Sequence, residues 1–194
     1  NYERQRKQVV QNTVSFLQGL PANNILLYGD RGTGKSSTIH AVLNEYKKCG
    51  LRMIEISKSD IGDLTLIRER IAGSPMKFII FIDDLSFDAR DDAYGELKAA
   101  LEGSLSGQQE NSVIYATSNR RHLIKENFSD RENDMHRSDT MQEELSLSDR
   151  FGLCVNFLNP DKAEYLDITE KIARDRKMDV DLERLLLGAE NWAR

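Results

Sequence analysis

Eight residues, Gly29-Asp30-Arg31-Gly32-Thr33-Gly34-Lys35-Ser36, satisfy the pattern G-x-x-x-x-G-K-[ST] in full and stand between two segments of different periodicity. Ahead of them, Asn24-Ile25-Leu26-Leu27-Tyr28 is a short apolar run that reads as a strand. Behind them, Ile39, Val42, Leu43 and Tyr46 recur at i, i+3, i+4 and i+7, which lines up one face of a helix ending near Gly50. A glycine-rich turn from a strand into a helix directs backbone N–H groups and the positive helix N-terminus at one point, and that arrangement surrounds a phosphate chain. Gly32 and Gly34 permit tight curvature and close backbone approach. Lys35 can reach β- and γ-phosphates as a point charge, and Ser36 can set its hydroxyl on Mg²⁺. The alternative, a glycine-rich strand-to-helix turn with a solvent-facing lysine, is disfavoured by the strand before the motif and the helix after it.

The same alternation continues along the chain. Leu51 to Ile56 reads as a second strand, and Leu64, Ile67 and Ile71 mark a helix stopped by Gly73 and Pro75. Phe78 to Ile82 is apolar without alternation, as in a strand buried on both faces. Tyr94, Leu97 and Leu101 mark another helix, Ser112 to Thr117 a strand, and Leu153 to Phe157 a last strand. Strands alternating with helices imply βαβ units, hence an α/β fold with a mainly parallel five-stranded sheet between helical layers. Beyond Asn159-Pro160, read as an N-cap and N1 pair, Ala163, Leu166 and Ile172 indicate one helix and Leu182, Leu185 and Leu186 a second. The expected organisation is a nucleotide-binding core over 1–158 and the start of a small helical lid over 159–194.

Composition closes off other classes. A chain of 194 residues with net charge −5 fits one domain plus an appendage, and no apolar run approaches the ~18 residues of a membrane-spanning helix. Cys49 and Cys154 form no disulfide framework and read as small buried thiols, which points to a reducing, cytoplasmic setting. The scattered His40, His122 and His136 have no metal-ligand spacing. Residues 126–149 are rich in carboxylates and poor in large apolar side chains, so an exposed connection is expected. The sequence begins at Asn1 and stops at Trp192-Ala193-Arg194 with no helix-ending signal, and so reads as a fragment.

A phosphate cradle calls for a metal ligand and a group that acts on water. Phe78-Ile79-Ile80-Phe81-Ile82-Asp83-Asp84 provides two carboxylates where an apolar strand ends, a position that suits a crevice at the carboxyl edge of a sheet. Asp83 is the candidate on the Mg²⁺ side with Ser36, and Asp84 the candidate for polarising water. The alternative for Asp84 is a plain cap of the following helix.

With these residues in place, the chain resembles the AAA+ superfamily of P-loop ATPases from about Tyr2 to Phe157. Asn24 to Ser37, Phe81 to Phe87 and Ser146 to Gly152 are similar to a bacterial family of predicted AAA+ ATPases classed as a domain of unknown function. The resemblance implies ATP and Mg²⁺ held by Gly29, Asp30, Arg31, Gly32, Thr33, Gly34, Lys35, Ser36 and Ser37. It implies that Asn119, in Ala116-Thr117-Ser118-Asn119, orients the attacking water as sensor 1. It implies that Arg150 is an arginine finger acting on ATP held by a neighbouring subunit, in a ring or spiral of identical chains. Tyr2 and Gln5 resemble the segment lining the adenine site, and the sensor 2 arginine has no match before Arg194. Most members have Asp-Glu where this chain has Asp83-Asp84, whereas some replication initiators and helicase-loader-like members have Asp-Asp.

Three functions follow as expectations. One is an ATP-hydrolysing machine that remodels a macromolecule. Another is a slowly hydrolysing, nucleotide-gated binding switch. The third is a DNA-directed loader, with nucleic acid as partner. A small-molecule kinase fits less well, because Arg150 sits where a neighbour would be reached.

Overall fold

The computed structural model describes residues 2–87, 91–103, 111–119 and 147–192. It divides into two compact units, one from Tyr2 to Phe157 and one from Leu158 onward. In the first unit, strands β1 (Ile25–Gly29), β2 (Leu51–Ile56), β3 (Lys77–Ile82), β4 (Ser112–Ser118) and β5 (Leu153–Phe157) form one parallel sheet in the order β2-β3-β4-β1-β5. Helices α1 (Glu3–Leu17), α2 (Lys35–Tyr46), α3 (Leu64–Ile71) and α4 (Asp92–Gly103) cover its two faces.

Residue parity assigns every strand side chain to a face. Leu26, Ile80, Ile82, Ile114 and Ala116 pack with Ile61, Leu64, Leu97 and Leu101 of the layer containing α3 and α4. Ile25, Leu27, Ile79, Phe81, Val113 and Tyr115 pack with Val9, Phe16, Ile39 and Val42 of the layer of α1 and α2. The central strands are therefore buried on both sides, as their unbroken apolar runs require. The expected three-layer α/β fold is the observed one.

The first helix has no counterpart in the apolar spacing, because α1 buries polar groups. Thr13 is fully buried and Asn12 nearly so. The Asn12 amide donates to Asn23 O at 2.9 Å and to the Tyr115 hydroxyl at 3.1 Å, and the Thr13 and Tyr115 hydroxyls lie 2.8 Å apart. Burial pushes the Tyr115 phenol above its ordinary pKa, while the hydrogen bonds to Thr13 and Asn12 act in the opposite direction.

Three local expectations are corrected. Cys49 and Cys154 are exposed rather than buried. Cys49 closes a short 3₁₀ turn, Lys47–Cys49, and Cys154 lies on the edge strand β5. In the second unit, the cap of helix α5 (Lys162–Asp175) is Asp161, whose side chain accepts the Glu164 N–H at 2.8 Å. Asn159-Pro160 is not the capping pair, since Asp is as good a cap and stands one residue before the helix. Helix α6 (Leu182–Trp192) completes this unit. Of the acidic connection, 126–146 lie outside the described residues, while Leu147 and Ser148 at its end are buried.

Gly29 sets the distance between the end of β1 and β5. Its φ is 136°, and an added Cβ would stand 2.0 Å from Phe157 O. That carbonyl also accepts the Asp30 N–H at 3.2 Å. Gly29→Ala is expected to destabilise the nucleotide-free protein by at least about 3 kcal/mol in urea unfolding. Gly73→Ala, which meets nothing within 4 Å, is the control and should change stability by less than about 1 kcal/mol.

Candidate nucleotide-binding site

The parallel order brings the carboxyl ends of β1, β4 and β3 side by side, and the turn after β1 opens α2. Gly32 and Gly34 have φ of 75° and 89°, in the left-handed region that favours glycine. Gly34 is the N-cap of α2, with no side chain capping the helix, so the first-turn N–H groups face the concavity of the turn. Thr33 Oγ1 braces this turn from inside by donating to Asp30 O at 2.8 Å.

Lys35 is 7% exposed, and its ammonium donates to Gly29 O at 2.9 Å, Asp30 O at 2.7 Å and Asn119 Oδ1 at 3.2 Å. These bonds use all three donors of the group. Burial pushes its pKa down, and the nearby Asp30, Asp84 and Asp83 carboxylates pull it back up. Ser36 Oγ donates to Asp83 Oδ1 at 2.7 Å, so the hydroxyl and carboxylate singled out in the sequence meet from separate elements. Asn119 Nδ2 donates to Asp84 Oδ1 at 2.5 Å. Five predicted site residues therefore meet here as two adjacent sets: Asn119 links Lys35 to Asp84, and Ser36 bonds Asp83.

The site also contains a residue that sequence reasoning left without a role. Thr117, 2% exposed at the end of β4, donates its hydroxyl to Asp83 Oδ1 and accepts the Asp84 N–H at 2.9 Å. A threonine in an apolar strand looks like β-propensity alone, so its only sequence signal was position, beside Asn119. Asp84 caps no helix among the described residues, as α4 starts at Asp92.

A cleft of about 310 Å³ adjoins the cradle, sharing Thr33, Gly34 and Ser37 with it and extending past Thr38 between α1 and α2. Tyr2 lines it and stacks on Phe157 with ring centroids 5.2 Å apart. Gln5, by contrast, donates to Asn156 O at 3.2 Å and is not among the lining residues. Asp30 and Arg31 are exposed on the rim of the turn.

Arg150 is the predicted residue that does not join this group. It precedes β5, and Leu153 pairs with Ile25, the first residue of β1. Arg150 therefore lies at the amino edge of the sheet, whereas the cradle lies at the carboxyl edge. There it forms a salt bridge to Glu102 of α4 at 2.5 Å.

The donor set fits a nucleotide with Mg²⁺. The turn offers backbone N–H groups and an ammonium for phosphate, and Ser36 with Asp83 offers the hard oxygen ligands that Mg²⁺ takes in small number. This fold is that of the AAA+ class of P-loop ATPases. The chain belongs to the family described as "Protein of unknown function (DUF815)", which matches residues 1–194.

Among relatives, the chain is 41% identical over 61 residues to the replication factor C large subunit of Staphylothermus marinus, covering 31% of this chain and 14% of that protein. It is 30% identical over 145 residues to the probable mitochondrial chaperone BCS1-A of Dictyostelium discoideum, covering 61% of this chain and 34% of the relative. Among solved structures, the Thermotoga maritima RuvB Holliday junction branch migration motor superposes with TM-score 0.60 at 15% identity, over 96% of this chain and 55% of the other. The chain thus spans well under two thirds of the length of each of these proteins.

Lys35→Ala should remove nucleotide binding. At ADP about 100-fold above its Kd, the unaltered protein gains about 2.7 kcal/mol, or a Tm rise of several degrees. The variant should show no rise in the same thermal-shift titration.

Proposed function

We propose that this chain is an ATP-hydrolysing AAA+ domain that works as a homo-oligomer, a ring or spiral, and couples hydrolysis to the remodelling of a macromolecule. The observation that carries the reading is the opposed placement of two parts of one site. Lys35, Ser36, Asp83, Asp84 and Asn119 converge at the carboxyl edge of the sheet, whereas Arg150 stands at the amino edge beside Glu102. A guanidinium there has no reach to its own cradle and is available to a neighbour's.

In this reading the turn from Gly29 to Ser37 binds the phosphates of ATP, and Lys35 exchanges its carbonyl partners for β- and γ-oxygens. Ser36 and Asp83 hold Mg²⁺, which when bound offsets the negative charge shared by those oxygens. Asp84 accepts a proton from the attacking water and Asn119 orients it. Arg150 from the adjacent copy stabilises charge on the transferring phosphoryl, a contribution of ~10³–10⁵ in rate. Residues 159–194 are the start of the helical lid. The base sits in the cleft beside Tyr2, a reading supported by the similar fold of the FIGL-1 AAA domain in complex with ADP, at 17% identity and TM-score 0.61.

Two further readings have specific support. A nucleotide-gated switch is favoured by the bond from Asn119 to Asp84, which occupies the carboxylate meant to act on water. A DNA-directed role draws on the replication factor C and RuvB similarities, and binding of single-stranded DNA with and without ATP across a salt series tests it. Among the described residues no helix is long and apolar enough to cross a membrane. The unbridged Cys49 and Cys154 suit a cytoplasmic setting.

ATPase rate per chain, measured against protein concentration with sizing in parallel, should rise with assembly. Arg150→Ala should leave nucleotide affinity within about threefold and lower turnover by at least about 10²-fold. Mixing it with Asp84→Ala should restore part of the activity, because mixed assemblies contain sites with both groups intact. A rate independent of concentration, or no restoration from folded and assembled variants, overturns the shared site.

A further inference from the structure

We infer that Thr117 is a positioning residue for hydrolysis: one buried hydroxyl sets the orientation of both Asp83 and Asp84. The inference rests on the ATPase reading above and adds to it a residue to which that reading gives no role.

Thr117 pairs in register with Leu27 of β1, and one residue earlier Ala116 pairs with Ile82 of β3. It therefore lies at the level where β3 has just ended and Asp83 begins. The parity of the strand directs its side chain to the α2 face of the sheet, the side from which Ser36 arrives. From this position Thr117 holds three consecutive residues of the turn. Its hydroxyl donates to Asp83 Oδ1, the same oxygen accepts the Asp84 N–H at 2.9 Å, and its carbonyl accepts the Leu85 N–H at 2.7 Å.

A hydroxyl has one proton. With that proton on Asp83, the lone pairs are left for Asp84 N–H, so the two contacts are not independent and one rotor fixes both. Ser36 Oγ donates to the same Asp83 Oδ1, and among the described residues Oδ2 receives no protein donor. The carboxylate is thus held by one oxygen, and the other is left for water or metal. Asp84 has φ of 50°, a left-handed conformation uncommon outside glycine, and the bond from its N–H to Thr117 stabilises it there. Without that bond the turn relaxes and the Asp84 carboxylate moves relative to the crevice.

The test uses three substitutions. Thr117→Val keeps the shape and deletes the hydroxyl, Thr117→Ser keeps the hydroxyl and deletes the methyl, and Thr117→Ala deletes both. Binding of ADP by calorimetry, with and without Mg²⁺, is read alongside ATPase kinetics. Thr117→Val should lower kcat by about 10–100-fold with KM for ATP within about threefold, the size expected for a misplaced catalytic group. It should also shrink the Mg²⁺-dependent tightening of ADP binding severalfold while leaving Mg²⁺-free binding unchanged. Thr117→Ser should return both quantities to within about threefold of the unaltered protein.

If Thr117→Val does not fold, the Ser and Ala variants carry the comparison, since they share the loss of the methyl. Equal kcat and equal Mg²⁺ response in that pair, or an unaltered Thr117→Val, overturns the inference. Unaltered protein that binds and hydrolyses no nucleotide overturns instead the reading on which it rests.

Discussion

Strand β4 lies between β1 and β3, and the site depends on that one fact of pairing. Neighbouring strands stand about 4.8 Å apart, so the ends of β1 and β3 are roughly 10 Å from each other. Across that gap Ser36, at the start of α2, meets Asp83 directly, whereas Lys35 is linked to Asp84 only by way of a third element. The end of β4 fills it, and Ala116 is in register with Leu26 on one side and Ile82 on the other. From there Asn119 accepts from Lys35 and donates to Asp84, while Thr117 braces Asp83. The assignment of the Asn119 amide follows from its partners, because an ammonium only donates and a carboxylate only accepts. Charge on one strand end is thereby tied to charge on another through a neutral amide.

The same sheet separates Arg150 from the cradle. Parallel pairing of β1 with β5 places the residues before β5 at the opposite edge from those after β1. The salt bridge between Arg150 and Glu102 is partly exposed, so it is worth little to stability, on the order of 1 kcal/mol or less. In the proposed shared site, a neighbour's phosphate would therefore draw the guanidinium away at small cost. The buried Arg68 differs. It is 6% exposed, its Nη1 donates to Ala100 O at 2.9 Å, and desolvation lowers its pKa to about 10. That side chain joins α3 to the carbonyl of α4 as a structural cation and is not available for exchange.

Much of this was legible in the sequence where burial is uniform. The central strands, buried on both faces, show as apolar runs, and the half-exposed edge strands β2 and β5 were visible as short, partly apolar segments. The cradle was visible because its chemistry demands glycine and lysine at fixed spacing. Helix α1 was not, since its inner face carries Asn12 and Thr13, whose hydrogen bonds to Tyr115 and Asn23 cross about a hundred residues in one case and a turn in the other. The exposed cysteines misled for a related reason. Apolar neighbours in sequence say nothing of which side of an edge strand or terminal turn a thiol occupies. Thr117 was hidden because a hydroxyl that orients a carboxylate has the composition of an ordinary strand residue, and its partners lie 34 positions away. Arg150 was legible as an arginine before the last strand, but Glu102 as its partner required the packing of α4.

The Asp83-Asp84 pair has a local physical reason that bears on the chemistry. At φ of 50° the turn out of β3 uses a backbone region in which Asp is several-fold enriched over most residues, and a short polar side chain can bond locally there. An Asp carboxylate also reaches ~1.5 Å less than that of Glu, one C–C bond. These two features act together, because a short side chain on a left-handed backbone has few places to go. Here it goes to Asn119 at 2.5 Å. In the proposed hydrolysis, water is polarised by a carboxylate whose location the backbone has largely decided, so precision in that reading comes from what holds the backbone. The Thr117 hydroxyl on Asp84 N–H and the Thr117 carbonyl on Leu85 N–H supply that hold from the neighbouring strand.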